Sequence, residues 1–164
     1  MRLPIILIVI AFTISGAHGQ GNSNAHLPES VSTLFKASGQ ARLYDFSIHL
    51  KPSIQHADFD GDGKPDTAFL VKRKNTGKIG IAICHSSTNT IVIVGAGTEL
   101  GNGGDNFDWM DLWSTVPKAT VVKRLGRALA ASVKGDALHV EKTESASGLI
   151  FWNGRRYVWR QAGD

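Results

Sequence analysis

Asp58, Asp60, Asp62 and Asp66 stand at positions 1, 3, 5 and 9 of one short stretch, with Gly61 and Gly63 among them. So many like charges repel one another unless a cation neutralises them. A hard divalent ion suits the pattern, because calcium takes about six to eight oxygen ligands in irregular geometry. Alternate residues of a curled loop point inward, so Asp58, Asp60 and Asp62 can converge on one ion. Lys64 would offer its backbone carbonyl, and Asp66 would close the shell. Gly63 falls where the chain must turn sharply and a Cβ is unwelcome. The spacing therefore predicts a calcium site of Asp58, Asp60, Asp62, Lys64 and Asp66. The alternative is an Asp/Gly turn that binds no ion.

An EF-hand loop would need a Glu at position 12 and a helix after it. Position 12 here is Phe69, inside the strand-like run Thr67-Ala68-Phe69-Leu70-Val71. The stretch instead resembles the DxDGDGxxD calcium loop of the FG-GAP and VCBS repeat families, which leads straight into a strand. The resemblance covers the loop and that strand. It implies calcium ligation at Asp58, Asp60, Asp62 and Asp66. The Phe-Gly and Gly-Ala-Pro signature of those families is missing, and the loop occurs once. A propeller needs several blades, so none is expected. The whole chain is also similar to small secreted bacterial proteins built around one such loop.

A second acidic stretch holds Asp105, Asp108 and Asp111 together with Trp109 and Trp113. Large aromatic anchors among polar neighbours suit a recognition surface, so these five residues are the expected partner-binding set. A packing turn that docks the tryptophans on the core is the alternative. A further reading makes the three acids the acid and base of a small hydrolase acting on glycans.

Several other constellations fail on inspection. Cys84 is the one cysteine, so no internal disulfide forms. It lies in an apolar run and is expected to be a buried, inert thiol. His85, the next residue along a strand, faces the other way and cannot easily activate it. Ile91-Val92-Ile93-Val94-Gly95-Ala96-Gly97 looks like the opening of a dinucleotide fold. However, Gly101, Asn102, Gly103 and Gly104 follow, where a phosphate-binding helix would have to start. No histidine pair has zinc spacing, and no Ser-His-Asp arrangement stands out.

Arg2, an apolar run over 3–12 and Ala17-His18-Gly19 form a signal peptide, expected to span 1–19. A secreted or periplasmic protein follows, with no cysteine for a lipid anchor after the leader. Residues 20–26 are polar and expected to be flexible. Residues 27–164 suit one domain with its own core. The net charge of +4, near +3 without Arg2, requires no nucleic acid. Lys72, Arg73, Lys74 and Lys78 cluster at an expected hairpin tip, where they keep an edge solvated. No later segment is apolar enough to cross a membrane.

The elements that must position these residues are mainly strands. Leu27, Val31, Leu34 and Phe35 recur at helical spacing and predict one short helix over 28–37. Strands are expected at 43–50, entering the acidic loop, and at 67–72, leaving it. Further strands fall at 78–85, 90–94, 118–124, 136–142, 147–152 and 155–161, with 125–134 readable as helix or strand. Asn153-Gly154 predicts a type I′ hairpin turn between two aromatic-rich strands. The fold class is thus β-rich α+β, an antiparallel meander with a C-terminal aromatic hairpin. The function this supports is a non-enzymatic, monomeric, calcium-stabilised domain that binds a protein or a glycan of the cell envelope.

Overall fold

The computed structural model describes residues 26–163. The expected leader at 1–19 lies outside them, as do residues 20–25 of the segment read as flexible. The described chain is mostly β, 39% strand against 20% helix.

Two antiparallel sheets face each other. The first contains β1 (Tyr44–Phe46), β2 (Ile54–Ala57), β3 (Asp66–Arg73), β4 (Ile79–His85) and β5 (Thr90–Gly95). Both β1 and β2 pair with β3, one along each half of its outer edge, and β4 and β5 follow on the other side. The second sheet runs in the order β6 (Leu112–Val116), β7 (Ala137–Lys142), β8 (Ala146–Trp152) and β9 (Tyr157–Gly163).

The alternation of strand side chains sorts the core into layers. Ala68, Leu70, Ile79, Ile81 and Ile83 point from the first sheet into a cluster shared with Leu138, Val140, Ile150, Tyr157 and Trp159 of the second. The opposite face of the first sheet offers Phe69, Val71, Ala82 and Cys84 to Val31 and Phe35 of α1 (Glu29–Ala37). The outer face of the second sheet sets Ala137, Leu149 and Phe151 against Val121. That valine belongs to α3 (Lys118–Leu125); short α2 (Gln40–Leu43) and α4 (Arg127–Ala130), with a 3-10 turn at Gly101–Gly103, complete the helices among the described residues. The order of layers is helix, sheet, sheet, helix. None of these helices is long and apolar enough to cross a membrane.

Three expectations need correction. The strand expected over 118–124 is helix α3. Pro117 precedes it, where proline's fixed φ favours a helix start, and Asp136 accepts from the Lys118 N–H at 2.8 Å. Of the strand expected over 43–50 only Tyr44–Phe46 (β1) forms, and the separate β2 at Ile54–Ala57 leads into the acidic loop. The C-terminal hairpin closes through a four-residue connection, since Trp152 pairs with Tyr157. Gly154 has φ +95°, whereas Asn153 is absent from the positive-φ residues a type I′ turn would demand. Asn153 instead accepts from the Arg155 and Arg156 N–H groups through its side chain.

Candidate metal centre

The acidic loop hangs between β2 and β3, whose pairing of Ala57 with Asp66 pins its two ends together. Phe59 is fully buried and roots the loop in the core between the sheets. Segment 134–136 backs it. The Asp136 N–H donates to the Asp58 carbonyl at 2.7 Å, and Gly135 lies so near that a Cβ would collide with the same carbonyl. Gly61 is caught in the same way, at φ +83° with the Lys134 carbonyl where its Cβ would be. Gly63 also turns with positive φ, at +87°, but faces open space.

Backbone N–H groups curl the loop around its own carboxylates. Asp58 Oδ1 accepts from Gly61 and Asp62 at 2.8 and 3.0 Å, and its Oδ2 accepts from Gly63 at 2.9 Å. Asp60 accepts from Asp62 at 3.1 Å, and Asp62 from Lys64 at 2.8 Å. The result brings one carboxylate oxygen each of Asp58, Asp60 and Asp62 within 4.8 Å of the others. Three hard oxygen donors on one side of a curled loop are the donor chemistry that calcium takes. A hydrogen bond from the Ser87 side chain, then the Lys64 N–H, holds the Asp62 carboxyl below its ordinary range.

Asp66 is placed differently. It is fully buried, and its Oδ2 accepts from Phe59 and Asp60 at 3.0 and 3.3 Å while Oδ1 accepts from Ser86 at 2.9 Å. Burial pushes its carboxyl up, against the pull of the Ser86 N–H. Its ligand atom groups with those of Asp60 and His85, not with the Asp58–Asp60–Asp62 set. His85 is 4% exposed. Its ring meets the Tyr157 hydroxyl at 2.7 Å through Nε2 and stands 3.6 Å from Asp60 Oδ2 through Nδ1. Burial, reinforced by the Asp66, Asp60 and Asp58 carboxylates, pushes the Tyr157 hydroxyl far up.

Spacing along the chain did not bring His85, Tyr157, Ser86 or Ser87 to this site. A signal for His85 existed, because Ile79, Ile81, Ile83 and His85 share one face of β4. Cys84 is buried on the opposite face, as expected, and burial pushes its thiol up.

The second acidic stretch does not gather its acids. Asp105 pairs with Lys78. Asp111 accepts from the Thr143 N–H and hydroxyl, both at 2.9 Å. Asp108 is exposed. Trp113, expected on a recognition surface, is 2% exposed within β6 and donates to the Pro52 carbonyl at 2.5 Å, so it belongs to the core. Trp109 is half-buried, edge-on to Phe107 and Trp159, with its indole N–H on the Gly103 carbonyl at 3.3 Å. The basic cluster at the β3–β4 turn is engaged locally. Lys74 pairs with Asp45 at 3.4 Å, and Arg73 lies over the Tyr44 ring.

No family model, curated protein or solved structure matches this chain.

Proposed function

We propose that the chain is an exported, non-enzymatic domain that binds calcium at Asp58, Asp60 and Asp62 and presents a surface to a protein or glycan of the cell envelope. The observation that carries the reading is the convergence of those three carboxylates in a loop curled by their own backbone hydrogen bonds. The Lys64 carbonyl completes the shell in this reading. Asp66 supports it from beneath, by fixing the Phe59 and Asp60 amides. The ion's chemistry is structural: it neutralises clustered charge and locks β2 to β3 through the loop.

The partner surface in this reading is smaller than the five residues suggested by composition. Asp108 and Trp109 remain on it, while Trp113 is core. Calcium titration by calorimetry on metal-stripped protein tests the reading. One calcium per chain is expected, and none for Asp60→Asn with Asp62→Asn. Absence of uptake by the unmodified chain contradicts it. Binding to a panel of envelope glycans, compared with Asp108→Ala, then tests the partner.

A further inference from the structure

We propose that Asp60, Asp66 and His85 form a second cation site, for a divalent metal of the zinc type that takes nitrogen as well as oxygen. One ligand atom from each of the three lies within 4.8 Å of the other two. Imidazole with carboxylates suits zinc and its neighbours, whereas calcium keeps to oxygen.

The geometry around His85 carries the inference. Nδ1 and Asp60 Oδ2 stand 3.6 Å apart. That exceeds the usual reach of a hydrogen bond, about 3.2 Å. It suits two ligands of one ion, because bonds of about 2.1 Å at a tetrahedral angle set their ends about 3.4 Å apart. The other ring nitrogen faces the Tyr157 hydroxyl at 2.7 Å. With the Nε2 proton given to Tyr157, Nδ1 carries a lone pair beside Asp60 Oδ2, and a cation there, within reach of Asp66, is what the three groups share. A partner on the far nitrogen is also how metal-binding histidines are oriented.

The ligands are already held. Three backbone N–H groups fix Asp66, and Trp152 stands edge-on to the His85 ring with centroids 5.2 Å apart. The site draws on β3, β4 and the loop, with Tyr157 and Trp152 supplied by the facing sheet. A metal there ties the acidic loop to β3 and β4. It shares Asp60 with the calcium reading but does not depend on it.

The test is a zinc chloride titration of the calcium-saturated chain. One zinc per chain is expected, with calcium retained. His85→Gln should remove the zinc step and keep the calcium step, with circular dichroism confirming the fold. Tyr157→Phe should weaken zinc about 10- to 100-fold, as loss of an orienting partner does. Because His85 is buried, its variant can fail to fold. The unmodified chain then decides through the Nδ1 nitrogen resonance of His85, which should shift on zinc addition. No zinc uptake, an unmoved resonance, or uptake unchanged in a folded His85→Gln overturns the proposal. Zinc uptake without calcium uptake refutes the loop reading alone, and the reverse result refutes only the second site.

Discussion

Loop 58–66 gathers its carboxylates, whereas segment 105–111 scatters an equally regular set of three. The difference lies in the residues between the acids. In the first loop one buried anchor, Phe59, is followed by Gly61 and Gly63, both at positive φ, which let the backbone curl until its N–H groups face the carboxylates. In the second they are Phe107 and Met110, with Trp113 following, all at most 2% exposed. Those anchors repeat every three residues and drive into the core, so acids on the same repeat are pushed out to separate partners, Lys78 and Thr143. Carboxylate density alone does not make a site. One buried anchor followed by two glycines concentrates charge, whereas apolar anchors at every third residue disperse it.

Variants can break or sharpen this contrast. The largest effect should come from Trp113→Ala, which empties a core position and removes the N–H bond to Pro52. A loss of about 3–5 kcal/mol is expected from chemical denaturation. A near-silent result would return Trp113 to the surface. Next is Gly61→Ala, where positive φ and the collision with Lys134 act together, for about 2–4 kcal/mol. Gly63→Val should cost less in the metal-free chain, about 1–2 kcal/mol, since only the backbone angle resists it. It should still weaken calcium binding though no ligand is lost, and unchanged calcium affinity would show that the curl does not matter. If Gly61→Ala is no worse than Gly63→Val in the metal-free chain, segment 134–136 does not brace the loop. Smallest is Asp105→Ala with Asp108→Ala. Half-exposed ion pairs contribute about 0–1 kcal/mol, so thermal melts should barely change. A large loss would mean that the second segment is held by its acids and not by its anchors.

Much of the framework was legible beforehand. Continuous apolar runs marked β3 and β4, and β5 and β7 stood where strands were expected at 90–94 and 136–142. Helical spacing found α1, with Val31 and Phe35 buried as expected. The failures have separate physical causes. Lys118–Leu125 buries Val121 alone among its residues, so its apolar pattern was too thin to distinguish helix from strand. Residues 43–50 alternate loosely, but Ile48 is 61% exposed and the pairing with β3 stops at Phe46. Asn153-Gly154 carried turn chemistry correctly at Gly154 but not the loop length, which the Trp152–Tyr157 pairing sets. At the site, local spacing sufficed for Asp58, Asp60 and Asp62. Asp66 and His85 required knowledge of which strand lies beside β3 and what the second sheet places opposite.

The central claim is that the gathered carboxylates of Asp58, Asp60 and Asp62 hold calcium and that the ion stabilises the fold. The most direct measurement is the melting of metal-stripped protein with and without added calcium, for the unmodified chain and for Asp60→Asn with Asp62→Asn. At a hundredfold excess over the dissociation constant, calcium should stabilise the unmodified chain by about 2.7 kcal/mol, a rise of several degrees in Tm. The double variant should show no rise. Superimposable melting curves for the unmodified chain, with and without calcium, would contradict the account.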